Sequence, residues 1–328
     1  MVLDGTLPSS LDRAVRALAA GELVAFPTET VYGLGADAGS DAAVRKIFAA
    51  KGRPADHPLI VHVADATGVA EFAASIPPFA QRLMDAFWPG PLTLILPRRP
   101  GVGTAAAGGQ DSVGVRCPAH PVAHALLLAC RNALPPVHGL AGPSANQFGR
   151  ISPTTAQHVQ AEFGDALLVL DGGPCSVGIE SSIVDCTRGA PVLLRPGVLT
   201  RDSIEQACGQ RLGTVDGEAP RASGTLESHY APKAKLRLMD ARALQTALDL
   251  LGSEAAHIAT YSRAILSSRS SQVLRRRMPD DAIETARQLF AVLRDFDAQG
   301  VRLIWVEFPP PGPEWYGVRD RLQRASAG

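Results

Sequence analysis

The chain has 328 residues, 46% hydrophobic and 20% charged, which favours two domains with a sizeable core and excludes coiled coil and disorder. Net charge is zero: residues 1–205 carry 15 cations against 18 anions, and the remainder 17 against 14. Those balances are too small for a nucleic-acid surface.

The five cysteines, Cys117, Cys130, Cys175, Cys186 and Cys208, form no C-x-x-C pair. Free thiols in a reducing cytosol are therefore expected, with neither a zinc site nor a disulfide framework. No apolar run reaches spanning length, and the N-terminus lacks a basic region followed by an apolar core. A soluble cytoplasmic protein without a membrane partner is the expectation.

In chain order, Ser9 or Ser10 can cap a first helix with Leu11, Val15, Leu18 and Ala19 at helical spacing, stopped by Gly21. Residues 23–26 read as a short strand feeding a turn over 27–35 that is rich in hydroxyls and glycine. Ser40 or Asp41 caps a second helix that buries Ala43, Val44, Ile47 and Phe48. Lys51 continues that inward face, so its ammonium needs an anion. Taken alone it suits an exposed helix C-terminus equally well, and Arg53-Pro54 shifts the balance toward a site. Residues 59–63 form a strand carrying His62, which by itself reads as a core histidine.

A helix over 78–87, the stiff corner Trp88-Pro89-Gly90-Pro91 and a strand over 92–96 follow. Residues 101–109, rich in glycine and alanine, are expected to be a mobile surface loop. Next come a strand over 113–116 ending in Arg116, a helix over 121–130 and a strand over 137–140. These lead to Gly142-Pro143-Ser144-Ala145-Asn146, whose composition is that of a turn. Ser152-Pro153 begins a helix to 163. Strands over 167–170, 182–184 and 192–194 complete an α/β domain around a mixed, twisted sheet.

Regular pattern lapses over 209–234, expected as a linker between a domain over 1–208 and one over 235–328. In the second domain, strands over 236–239, 256–261 and 301–308 alternate with helices over 241–251, 281–296 and 318–325. That alternation implies a small parallel, three-layer domain. Ile283, Ala286, Leu289, Phe290 and Leu293 share one face of its long helix, and Arg275-Arg276-Arg277 reads as a solvated charge run.

Common signatures are missing: there is no G-x-x-x-x-G-K-[ST], no third glycine after Gly33-Leu34-Gly35, no H-E-x-x-H and no G-x-S-x-G. What remains is a set of cations and small polar groups, Lys51, Arg53, Arg116, Ser144, Asn146 and Arg195. Most stand near predicted element ends, where open α/β folds converge on a crevice. A triphosphate would match them.

Six ordered segments, 27–35, Lys51-Gly52-Arg53-Pro54, Val115-Arg116-Cys117-Pro118 with His120-Pro121, Pro143-Ser144-Ala145-Asn146, Arg195-Pro196-Gly197 and Ser228-His229-Tyr230-Ala231-Pro232, together resemble the threonylcarbamoyl-AMP synthase family in its long, two-domain form. The resemblance implies a YrdC-like catalytic domain with a twisted mixed sheet, followed by a Rossmann-like C-terminal domain. It implies a nucleotidyltransferase that joins L-threonine, bicarbonate or CO2, and ATP with Mg2+ into threonylcarbamoyl-adenylate and pyrophosphate. The adenylate would pass to partners that modify tRNA.

By the same resemblance, Thr30, His62, Arg116 and Ser181 contact threonine. Lys51 and Arg53 are the catalytic cations, and Arg53, His57, Ser112, Ser144, Asn146, Ser152, Arg195 and Tyr230 contact ATP. His57 and Ser112 depart from the residues most usual in the family, and no protein-held metal site is implied. Tyr230 is placed to belong to a lid over a carbamate that water would destroy. Glu29 is a candidate general base. Two other readings compete. Carbamoyl-adenylate chemistry belongs to longer proteins with cysteine-rich zinc modules, and an RNA-binding module would need more charge and aromatic–basic interleaving.

Overall fold

The structure, a computed structural model, describes every residue except Glu227 and Ser228, so the serine that opens the segment ending at Pro232 lies outside the described residues. The chain divides into two units: residues 1–148 with 152–225, and residues 149–151 with 226–328. Of the expected linker, residues 209–225 thus belong to the first unit and the rest to the second.

Among the described residues of the first unit, ten strands form one mixed sheet. They are β1 (Val2–Asp4), β2 (Val24–Phe26), β3 (Gly33–Asp37), β4 (Ile60–His62), β5 (Leu92–Pro97), β6 (Ser112–Arg116), β7 (Leu140–Ala141), β8 (Leu168–Asp171), β9 (Ser182–Asp185) and β10 (Val192–Arg195). Their order is β1-β8-β2-β3-β7-β4-β6-β5-β9-β10. The parallel pairing of β4 with β6 sets His62 against Arg116.

Helices α1 (Pro8–Ala19) and α4 (Pro121–Arg131) cover one face, packing Leu18, Leu126 and Cys130 on Phe26 and Leu170. The other face carries α2 (Asp41–Lys51), α3 (Pro78–Phe87), α5 (Ala156–Phe163) and α6 (Arg201–Cys208), with Ile47, Leu83, Val159 and Ile204 against Leu34, Val61 and Leu94. Fully burying side chains of this size stabilises by about 1.5–3 kcal/mol each, and both faces of the sheet are used.

Local chemistry explains the ends that matter. Ser40 caps α2, its hydroxyl accepting from the Ala43 amide. Gly52 stops the helix in the left-handed region at φ 61°, a conformation that glycine adopts without steric penalty. The chain therefore turns sharply between Lys51 and Arg53.

Several expectations change. Residues 33–35, the end of the expected turn, begin strand β3; its glycines hide the signal because the Phe26 ring is packed close to them, and a Cβ at Gly35 would meet that ring at 2.9 Å. Pro8, not a serine, opens α1, and Ser10 is buried inside it. Residues 101–109 are tied down: Ala106 and Ala107 are buried, and the Ala106 carbonyl accepts from the Leu59 amide. The helix expected from Ser152 starts at Ala156 under a Thr155 cap, because the Pro153 carbonyl is used by the Tyr32 amide. Helix α6, capped by Thr200, was absent from the sequence reading.

The second unit contains β11 (Lys235–Met239), β12 (Ile258–Ser262), β13 (Leu274–Arg277) and β14 (Leu303–Glu307), all parallel in the order β11-β14-β12-β13. Its helices are α7 (Ala241–Leu251), α8 (Ala282–Ala298) and α9 (Tyr316–Ser326). Strand β13 coincides with the arginine run. It is an edge strand, and exposed charge there discourages pairing with other chains. Arg276 and Arg277 meet Asp295 and Asp280 at 2.9 and 3.1 Å. Ile283 is 61% exposed, so it does not share the buried face of α8 with Ala286, Leu289, Phe290 and Leu293. Among the described residues, no helix is long and apolar enough to cross a membrane, and all five cysteines are buried and free.

Candidate active site

The turn between β2 and β3 and the end of β6 meet at Arg116, a residue only 3% exposed. Its Nη1 donates to the Thr30 hydroxyl at 2.8 Å and its Nε to the Gly90 carbonyl at 3.3 Å. Its Nη2 lies 2.7 Å from Glu29 Oε1. Thr28 steadies the turn, with its hydroxyl donating to the Val31 carbonyl and lying 2.9 Å from the Thr30 hydroxyl. Glu29 Oε2 accepts from the Ala119 amide.

His62 is beside Arg116 by strand register and edge-on to Phe26. Burial first, then the Arg116 charge, pushes its ring down to about 3 despite the Leu140 and Ile60 carbonyls. A neutral imidazole is the form that can neighbour a guanidinium without repulsion. Its Nδ1 is buried with no aligned hydrogen bond to any described residue.

A second set gathers at the C-terminus of α2. Lys51 is 2% exposed, and its ammonium donates to the Ser144 carbonyl at 2.6 Å and to the Asn146 carbonyl. Burial, and after it Arg53, depress its pKa well below the usual lysine value, with Glu162 opposing. Arg53 donates to the Pro58 carbonyl at 2.9 Å and lies over the Phe148 ring at 5.6 Å. His57 packs on the same ring, and burial followed by Arg53 lowers its pKa.

Arg195, at the end of β10, closes the group. Its Nε donates to the Ser181 carbonyl at 3.0 Å, its Nη2 to the Ser181 hydroxyl at 3.1 Å, and its Nη1 to the Ser223 carbonyl at 2.9 Å. The Ser181 hydroxyl also lies 2.8 Å from that of Thr93. Ser112 lines a recess with Pro58, Thr93, Gly114, Ile183 and Ser223.

The first unit therefore brings together Thr30, His62 and Arg116, then Lys51, Ser144 and Asn146, then Ser181 and Arg195, with Arg53 and His57 on Phe148. Ser152 is bonded to the buried Glu180. Tyr230 is packed inside the second unit, 5.5 Å from Phe290 and 5.2 Å from the Arg321 guanidinium, at φ 62°.

Sequence reasoning missed three participants. Thr93 and Ser223 carry no signal, being a strand threonine and a serine in an unpatterned stretch. Glu180 stands directly before Ser181, and that adjacency was the available clue.

The family model described as "Telomere recombination" matches residues 16–197, and that described as "Threonylcarbamoyl-AMP synthase, C-terminal domain" matches residues 199–327. The threonylcarbamoyl-AMP synthase of Pyrococcus abyssi is 39% identical over 93% of this chain and 91% of its own length. The chain belongs to the threonylcarbamoyl-AMP synthase family. The Bacillus subtilis threonylcarbamoyl-AMP synthase, another relative, is 38% identical over 96% of this chain and 92% of its own.

Solved structures agree with that family. P. abyssi Sua5 complexed with L-threonine is 36% identical with a TM-score of 0.86, covering 96% of this chain and 94% of that one. A doubly substituted variant of the same protein reaches 0.88 at 34% identity, covering 99% and 96%. The α/β fold with a large mixed sheet and a second, parallel sheet is thus that of the family, and threonylcarbamoyl-AMP synthesis is its activity.

Proposed function

We propose that the first unit is a nucleotidyltransferase joining L-threonine, CO2 or bicarbonate, and ATP, releasing pyrophosphate. The observation that carries this reading is the set of buried cations Lys51, Arg53 and Arg195, held by carbonyl and hydroxyl oxygens in the same unit as Arg116. Guanidinium and ammonium donors in such a set suit phosphate oxygens. Lys51 already feels Arg53 through its lowered pKa.

In this reading Arg116 takes the threonine carboxylate, while Thr30, neutral His62 and Ser181 face its side chain and amine. Ser144, Asn146, Ser152, Ser112, His57 and Arg195 face ATP, with Lys51 and Arg53 on the phosphates. The donor set suits phosphate oxygens; Mg2+ would arrive on the triphosphate and help neutralise it. Threonine's amine, once deprotonated, attacks the carbon of CO2 to give a carbamate. A carbamate oxygen then displaces pyrophosphate from the α-phosphorus. Little covalent work falls to the protein; positioning and charge stabilisation supply the rate.

Tyr230 is assigned to ATP on family likeness alone, and cytoplasmic location and tRNA-modifying recipients of the adenylate follow from the same source. The experiment is incubation with ATP, Mg2+ and labelled bicarbonate, with and without L-threonine. A labelled adenylate that requires threonine is expected. Its absence, or equal label without threonine, would remove the proposal.

A further inference from the structure

Glu29 Oε1 and Arg116 Nη2 touch at 2.7 Å, both buried, yet neither atom makes an aligned hydrogen bond with any described residue. A buried ion pair kept for stability alone is ordinarily hydrogen-bonded throughout, because desolvation of two charges is otherwise uncompensated. The remaining atoms of the pair are well used: Glu29 Oε2 on the Ala119 amide, Arg116 Nη1 on Thr30 and Nε on Gly90. Both side chains are therefore fixed by other partners, while the close contact between them is the part of the arrangement that is not an aligned hydrogen bond.

We infer that Glu29 is the substrate residue for the α-ammonium of threonine and that this contact is exchanged on binding. The zwitterion's carboxylate takes Arg116, and its ammonium takes Glu29. The inference deepens the assignment of Arg116 to the threonine carboxylate and rests on it. One ion pair becomes two, and at no stage does the buried site hold an uncompensated charge. A ligand with the carboxylate alone would instead bring a second anion against Glu29, which like-charge repulsion disfavours. Neutral His62, beside Arg116 by strand register, adds no charge to upset this balance. The pair thus selects free α-amino acids over hydroxy acids of the same shape.

The test compares L-threonine with 3-hydroxybutyrate, the same skeleton without its amine, by calorimetric titration of the full chain and of Glu29→Gln. The glutamine keeps the shape and can still accept from Ala119. Wild type should bind threonine roughly tenfold or more tighter than the hydroxy acid, the scale of one charge-assisted hydrogen bond. Glu29→Gln should lose that preference, weakening threonine while leaving 3-hydroxybutyrate unchanged or tighter. In turnover, the threonine KM should rise while the ATP KM stays put.

Equal loss of both ligands in Glu29→Gln would reduce Glu29 to a structural strut and overturn the inference. If the variant does not fold, the wild-type pair of titrations still decides: equal affinity for the two ligands overturns it. Wild type binding neither ligand would instead remove the threonine site itself.

Discussion

Lys51 shows how a residue proposed to bind phosphate doubles as a structural one. Its ammonium holds the carbonyls of Ser144 and Asn146, the two residues expected at the phosphates. From sequence, truncating Lys51 should abolish turnover and spare the fold. The geometry changes the second half of that expectation. Lys51→Ala removes two hydrogen bonds to loop carbonyls, each worth about 0.5–1.5 kcal/mol net, while the Ser144 carbonyl keeps the Asn146 amide. Turnover should fall roughly 100-fold or more, the scale of losing one electrostatic donor. Urea unfolding should show a lowered midpoint in the same variant. An unchanged midpoint would mean that water replaces the ammonium and that the loop does not depend on it.

The inward position of Lys51 was legible, because it follows Ile47 on the helical stripe and nothing local contradicts that spacing. Arg116 and Arg195 could be read as strand-end cations. Their partners could not, since Glu29 is 87 positions from Arg116 and Ser223 is 28 from Arg195, and nothing in the local pattern links them. His62 was ambiguous for a physical reason: a buried neutral histidine and a ligand-facing one have the same apolar neighbours in sequence.

At the level of elements, strand register is what makes His62 sensitive to acid. Parallel β4 and β6 lock the imidazole beside Arg116, and its pKa of about 3 lies below the unfolded value of about 6.5. Between those two values the unfolded chain binds a proton that the folded chain refuses. Stability therefore falls as pH falls through this window, by about 1.4 kcal/mol per pH unit. Between pH 7 and pH 5 wild type should lose about 2 kcal/mol more than His62→Asn, measured by urea titration at both values. Parallel slopes for the two proteins would remove His62 from the acid sensitivity.

Elements with strong period were readable, α2, α3 and α7 among them. Those carrying another signal were not. Strand β3 is glycine-rich because an aromatic ring needs the space, and β13 is arginine-rich because it is an edge. The stretch 221–224 looked like linker, yet Arg221 pairs with Asp56 at 2.8 Å, its amide donates to Gln110, and Ser223 meets both Arg53 and Arg195. No periodicity announces a strap held by such scattered hydrogen bonds and an ion pair.

For the molecule as a whole, the Ser181–Arg195 contact has a thermodynamic consequence. One serine, through its carbonyl and hydroxyl, fixes the guanidinium assigned to the nucleotide while belonging to the amino-acid half. Anything that reorients Ser181 changes the free energy of placing Arg195, so on the proposed assignments the two ligands are expected to bind in a coupled way. Linkage makes the effect reciprocal: the factor by which a non-hydrolysable ATP analogue changes the threonine Kd must equal the factor by which threonine changes the analogue's Kd. Calorimetry of each ligand with and without the other measures both factors. They should differ from one in the native chain and approach one in Ser181→Ala. Factors of one in the native chain would mean that the serine merely bridges two autonomous subsites. Cooperative loading would let a carbamate form only where an α-phosphate already waits, a timing rule encoded in a single side chain.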